Sequence, residues 1–100
     1  MSELHVVATI PVKAEHVEAM REALTGLTAA TREEPGCVAY DLYESAAAPG
    51  VFVTVERWTD QAALDAHMQS PHIAAAFAAA DGALSGDVAI HPLVPVADQH

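Results

Sequence analysis

The pattern of apolar and polar residues along the chain predicts four strands and three helices. Four short runs rich in β-branched and aromatic residues are interpreted as strands at about residues 4–12, 37–44, 51–58 and 87–96. Apolar residues recur at steps of three and four over residues 14–34, which is typical of an amphipathic helix. Two shorter helices are predicted at about 60–69 and 71–82, because Thr59-Asp60 and Ser70-Pro71 are helix-start signals.

The order of these elements predicts an α+β fold of the ferredoxin-like βαββαβ type, a four-stranded antiparallel sheet with helices on one face. Pro92 and Pro95 remove two backbone donors from the last strand, so we expect that strand at an edge or leaving the sheet. The strands carry apolar residues on both faces, and the helices cover only one of them. We therefore expect a homodimer in which the second face is covered by another copy of the chain.

Composition narrows the classes of function. The 100 residues predict one domain, residues 1–100, with a modest core. A net charge of −10 with only 4 Lys and Arg argues against nucleic acid and against an anionic membrane surface as partners. The single cysteine, Cys37, allows neither an intrachain disulfide nor a metal–thiolate cluster. We also expect a cytoplasmic protein, since the sequence shows no secretory signal and no long apolar run.

Three residues are candidates for catalysis. His67 lies on the inward stripe of its helix and is predicted to remove a proton from a phenolic substrate; the alternative is a core histidine bonded to a backbone carbonyl or to Glu56. His72 follows the Ser70 cap and is predicted to tune His67, with a surface position at the helix start as the alternative. Glu56 lies between two aromatic residues on one strand face, where a buried carboxylate needs a partner.

Five residues are candidates for substrate contacts. Trp58 and Phe52 share a strand face and would stack on a planar ring, unless they are simply core residues. Tyr43 would orient a substrate oxygen, although it lies on the strand face opposite to Tyr40, so at most one of the two reaches any given pocket. Met20 and Phe77 would line the cavity or fill it.

No metal or organic cofactor is predicted. His67 and His72 are five residues apart with Pro71 between them, which breaks the i, i+4 placement of helical zinc ligands. A dinucleotide fingerprint and a phosphate-binding glycine loop are also missing from the sequence.

Two segments, EEPGCVAYDLYES and VFVTVERWTDQAALDAHMQSPHIAAAF, resemble the antibiotic biosynthesis monooxygenase (ABM) domain family. They carry its E-x-G-x-x-x-Y/F-x-L-Y, F-x-x-x-E-x-W, A-L-x-x-H and S-x-H-x-x-x-x-F elements. The resemblance implies a dimeric α+β barrel. It does not identify the substrate, because similar domains include anthrone oxygenases, quinol oxidases, haem-degrading enzymes and isomerases of signal molecules.

The resemblance also indicates whether haem degradation is to be expected. Family members that degrade haem carry a tryptophan at the position of His67 and an iron-ligating histidine at the position of Phe77. Phenylalanine cannot ligate iron, so haem degradation is disfavoured.

The resulting hypothesis is a cofactor-independent monooxygenase that uses dioxygen to oxidise a small phenolic, quinol or anthrone-like compound. Two alternatives stay open: a non-enzymatic dimeric module that binds a small hydrophobic molecule, and an isomerase or degrader of a small oxygenated signal compound.

Overall fold

The computed structural model describes residues 3–97. The predicted domain of residues 1–100 therefore extends beyond the described part at both ends, and His100 lies outside it. The elements along the chain are β1 (Leu4–Pro11), a 3₁₀ turn (Ala14–His16), α1 (Val17–Arg32), β2 (Cys37–Glu44), β3 (Val51–Trp58), α2 (Gln61–Met68), α3 (Pro71–Ala80) and β4 (Ala89–Leu93).

Local capping sets the limits of the two short helices. The Asp60 side chain accepts a hydrogen bond from the Ala63 backbone N–H at 2.9 Å, so Asp60 rather than Thr59 caps α2. The Ser70 side chain accepts from the Ile73 N–H, and Pro71 occupies the first turn of α3. The Ser70 cap and Pro71 therefore start α3 as a helix separate from α2.

The long helix α1 is shorter than the sequence pattern predicts. It starts at Val17, after the 3₁₀ turn, and ends at Arg32 rather than at residue 34. Glu33 and Glu34 therefore belong to a turn with Pro35 and Gly36, and not to the helix. This difference matters for the site, because it frees the Glu34 side chain from the helix surface.

The four strands form one antiparallel sheet in the order β2-β3-β1-β4. The predicted α+β ferredoxin-like fold is confirmed. As Pro92 and Pro95 led us to expect, β4 is an edge strand, and it covers Ala89–Leu93 rather than the whole of residues 87–96.

The helices pack on one face of the sheet. The buried core there contains, among others, Val6, Ile10, Leu24, Phe52, Trp58 and Ile73. The opposite face remains open in the single chain: Tyr43, Val55 and Leu93 are exposed there, while Val7 and Val53 are half-buried. In the part of the chain that the structure describes, no helix has the length and apolar character needed to cross a membrane.

Candidate active site

A small cavity lies between the sheet and the helices. Its volume is about 60 Å³. Most of the lining is aliphatic, and polar groups come from Tyr40, Thr54, Glu56 and His67. Four of the predicted site residues line it: Met20, Glu56, His67 and Phe77.

His67 is a buried titratable group on this cavity wall. It lies in the last turn of α2 and is only 2% exposed. Its Nδ1 is 2.6 Å from Glu34 Oε2. Its ring packs against Trp58, with a centroid distance of 4.7 Å, and against Tyr40, at 5.8 Å. If Nδ1–H donates to the carboxylate, Nε2 is left with a free lone pair, the arrangement of an imidazole held ready to accept a proton.

His72 reaches the same carboxylate oxygen from the start of α3. Its Nε2 is 2.5 Å from Glu34 Oε2, and its side chain is 24% exposed. Ser70 makes this possible, because its Oγ donates to the His67 carbonyl while capping α3. The chain turns there, so the last turn of α2 and the first turn of α3 face one point. Although Pro71 breaks the i, i+4 placement within one helix, this turn brings the two ring centroids to 6.0 Å from each other.

Glu34, which joins both histidines, is the functional candidate that sequence reasoning missed. The sequence pattern placed it at the end of a long amphipathic helix, where a glutamate is expected to be exposed to solvent. The available signal was its place in the E-x-G element, immediately before Pro35-Gly36. Gly36 has φ of 88°, and a Cβ built on it would lie 2.6 Å from the Ala63 Cβ. The turn is thus pressed against α2, which brings Glu34 to His67.

Glu56 is buried, 5% exposed, but it does not bond to His67. Thr54 Oγ1 donates to one of its oxygens at 2.6 Å, and Trp58 Nε1 donates to the other at 2.9 Å. The hydrogen-bond partners of this buried carboxylate therefore come from its own strand. The alternative of a Glu56–His67 bond is wrong. Glu56 still lines the cavity beside Tyr40, whose phenol pKa is raised by burial first and by the Glu56 charge second.

The remaining predicted contacts lie elsewhere. Trp58 and Phe52 are core residues, 0% and 2% exposed, and neither lines this cavity. Their large rings fill the space under the helices, and Trp58 supports the His67 ring instead. Tyr43 is 56% exposed on the opposite face of the sheet, since it pairs with Val53 and not with a cavity-facing residue.

Comparison with known proteins places this geometry in a family. Residues 4–79 match the family model described as antibiotic biosynthesis monooxygenase. The chain belongs to that family. The match includes Glu34, Glu56, His67, His72 and Phe77, so these residues of the candidate site fall within the family domain.

Relatives agree with this assignment. The chain is 37% identical over 95 residues to "Putative monooxygenase Rv0793" of Mycobacterium tuberculosis, which covers 95% of this chain and 93% of that protein. The solved structure of Rv0793 superposes with a TM-score of 0.87 at 35% identity, over 99% of this chain and 100% of that one. The crystal structure of PA3566 from Pseudomonas aeruginosa gives a TM-score of 0.87 at 32% identity, over 97% of each chain. The family and these names support a monooxygenase, and none of them names a substrate.

Proposed function

We propose that the protein is a cofactor-independent monooxygenase that oxidises a small phenolic, quinol or anthrone-like compound with dioxygen. The observation that carries the proposal is the hydrogen bond between Glu34 and the buried His67 at the wall of an apolar cavity. A carboxylate that fixes the imidazole tautomer and stabilises the imidazolium is a recurrent device of general bases.

In the proposed reaction, His67 Nε2 removes a proton from the substrate. The resulting anion is electron-rich and passes an electron to dioxygen. Recombination of the two radicals forms a carbon–oxygen bond and a peroxide. The imidazolium returns its proton to the peroxide, and the remaining C–H proton of the oxidised carbon is lost as the O–O bond breaks, which leaves a carbonyl and one molecule of water. The balance is R₂CH₂ + O₂ → R₂C=O + H₂O for an anthrone-like substrate, so the substrate supplies all the electrons.

The surroundings of His67 support this chemistry. The cavity wall is mainly aliphatic, which keeps water away from the anion and the peroxide. Tyr40, whose pKa is raised by burial, remains a neutral phenol and can donate a hydrogen bond to a substrate oxygen.

The cavity volume bears on the size of the substrate. About 60 Å³ is less than the roughly 150 Å³ of a cavity that holds one benzene ring. Phe77 and Ile90 line the cavity and are 47% and 37% exposed, so they form its solvent side. We infer that a substrate ring enters by displacing Phe77, and that a one-ring phenol or quinol fits more readily than a three-ring anthrone.

We also propose that the protein acts as a homodimer. The open sheet face presents Tyr43, Val55 and Leu93 to solvent, and a second copy packed sheet to sheet would bury them. The cavity lies on the other side of the sheet, so this assembly leaves its solvent side free.

The test is oxygen uptake with a panel of quinols and anthrones. His67→Gln keeps a donor for Glu34 but cannot act as a base, and we expect it to lower the rate by about 10² to 10⁴. His16→Ala, a change outside the cavity in the 3₁₀ turn, is the matched control and should leave the rate unchanged.

Equal oxygen uptake by wild type and His67→Gln would refute the assignment of the base. Product formation that continues without oxygen would instead indicate an isomerase or a related degrader. Saturable binding of panel compounds with no turnover would indicate a binding module.

A further inference from the structure

Three potential metal ligands converge at the edge of the cavity. Glu34 Oε2, His67 Nδ1 and His72 Nε2 all lie within 4.8 Å of one another. They come from the α1–β2 turn, the end of α2 and the start of α3, so the convergence is a product of the tertiary structure. Two separate features keep the three side chains together. One is the turn at Ser70 between α2 and α3, and the other is the close approach of Gly36 to Ala63.

The donor set favours a first-row transition ion such as zinc over magnesium or calcium. Two imidazole nitrogens and one carboxylate oxygen form the set used for zinc in hydrolytic enzymes, with a fourth position for water. Magnesium and calcium prefer sites made of oxygen ligands, so this cluster is a poor match for them. A single cysteine, outside the cluster, excludes a thiolate site.

The charges around the cluster favour a cation. Within residues 3–97, the ion pairs of Glu34 involve only the two histidines, and no Lys or Arg side chain pairs with it. Its side chain is 12% exposed, so the carboxylate is largely shielded from water. A bound dication would neutralise it more completely than two hydrogen-bonded imidazoles do.

The geometry needs only a small adjustment. Glu34 Oε2 is 2.6 Å and 2.5 Å from the two nitrogens, which are hydrogen-bond distances. Around a tetrahedral ion with bonds of about 2.1 Å the ligand atoms are about 3.4 Å apart, so each separation would grow by somewhat less than 1 Å. The His72 side chain is partly exposed and borders a second cavity of about 240 Å³ between α1 and α3, which gives it room to move.

We propose that Glu34, His67 and His72 bind one zinc-type divalent ion in place of the two hydrogen bonds that join them. Binding has a further consequence that rests on the proposed function. Nδ1 of His67 would then be a ligand, and the ring proton would move to Nε2, which could no longer accept a proton from a substrate. The ion would therefore act as an inhibitor of the base, and not as a cofactor of the oxidation.

Binding is tested by titrating the metal-free full chain with Zn²⁺ in a calorimeter. We expect one site with a dissociation constant of about 1 µM or tighter. Glu34→Gln and His72→Gln should each weaken it by more than the roughly 10- to 100-fold lost when an outer-shell partner is removed. His91→Ala, an exposed histidine on β4, is the matched control and should bind as the wild type does.

A second measurement uses the wild-type protein, so it does not depend on whether the variants fold. Histidine ¹⁵N spectra of the wild-type protein should show His67 changing from the Nδ1–H to the Nε2–H tautomer when Zn²⁺ is added. The proposal is overturned if zinc binds no more tightly to the wild type than to both cluster variants, or if the His67 resonances do not change.

The two proposals fail in different ways. If zinc binds at the cluster but leaves oxygen uptake with a quinol unchanged, the metal site stands and the base assignment falls. If zinc does not bind but His67→Gln still abolishes uptake, the base assignment stands and the metal site falls.

Discussion

Tyr40 is the most shielded phenol of the chain and lies beside the acidic groups of the site. It is 4% exposed and pairs with Glu56 across the strands. Burial raises its pKa, and the Glu56 and Glu34 charges raise it further. An ordinary phenol titrates near pH 10. The Tyr40 hydroxyl therefore stays protonated wherever the protein is folded and the solution is neutral or mildly alkaline.

The sign of this shift predicts an effect on stability. The folded-state pKa lies above the unfolded value, so the contribution of Tyr40 is fully present below about pH 10 and is lost as the pH rises through the folded-state pKa. We expect the free energy of unfolding to fall in that alkaline range, and to fall less steeply in Tyr40→Phe. Denaturant unfolding at several alkaline pH values measures both.

The shift itself can be measured because the chain has only 2 tyrosines. Tyr43→Phe leaves Tyr40 as the sole source of tyrosinate absorbance, and its titration should lie at higher pH in the folded protein than in denaturant. Glu56→Gln in the same background should bring it down. Identical titrations in the folded and unfolded chains would contradict the burial argument.

How much of the site was predictable from sequence differs from residue to residue. The Glu56 bonds to Thr54 and Trp58 follow from strand periodicity, which puts residues two apart on one face. The inward position of His67 follows from helical periodicity. The Glu34–His67 bond follows from neither, because it depends on how closely a turn approaches a helix far along the chain. Such distances are set by packing, and not by a local pattern.

At the scale of secondary-structure elements, the α1–β2 turn is the part that joins the site together. Gly36 has φ of 88°, and its backbone carbonyl accepts a hydrogen bond from the Thr59 N–H at 2.9 Å. The turn is thus attached to the start of α2 as well as packed against it. This contact region helps to fix the position of α2 relative to Glu34.

Replacement of this glycine should therefore be unusually damaging. In Gly36→Ala the new Cβ would meet the Ala63 Cβ at 2.6 Å in a left-handed conformation, so we expect a loss of about 2–4 kcal/mol in the free energy of unfolding. Gly82→Ala is the matched control. Gly82 has φ of 79° but nothing within 4 Å of the added Cβ, so only the backbone cost of about 1–2 kcal/mol applies.

A double-mutant cycle separates the contact from the backbone. Ala63→Gly removes the opposing methyl group, and it should restore part of the stability that Gly36→Ala loses, despite the cost of about 1 kcal/mol of a glycine in a helix. Chemical denaturation of the wild type, the two single variants and the double variant gives the coupling free energy between the two positions. Strictly additive losses would show that the close approach carries no energy.

At the scale of the whole molecule, the fold was predictable because its signals are local. Alternating strands, capped helices and a proline-bearing edge strand each depend on a few neighbouring residues. The short ends of α1 and β4 were not predicted, since fraying and turn formation at element ends depend on tertiary contacts. The apolar second face of the sheet was also predicted, and the described chain leaves it open.

The proposed dimer can be tested by a substitution on that open face of the sheet. Val55 is 44% exposed at the middle of it, beside Val7 on one neighbouring strand and Asp41 on the other. Val55→Glu would place an unpaired charge in the interface, and we expect it to raise the dimer dissociation constant by about 100-fold or more. Sedimentation equilibrium over a range of concentrations measures this.

The matched control for the dimer is Ala79→Glu. Ala79 is exposed on α3, in the helical layer on the opposite side of the sheet, so the added charge should leave the dissociation constant unchanged. If wild type and Val55→Glu sediment alike, the second face is not the interface.

The small size of the cavity has a kinetic consequence. In the proposed mode of entry a substrate ring displaces Phe77, so every productive encounter requires a rotation of that side chain. The Phe77 side chain would then act as a gate whose opening limits the rate of substrate entry. We therefore expect selectivity among ring compounds to appear in the rate of entry, with larger rings entering more slowly.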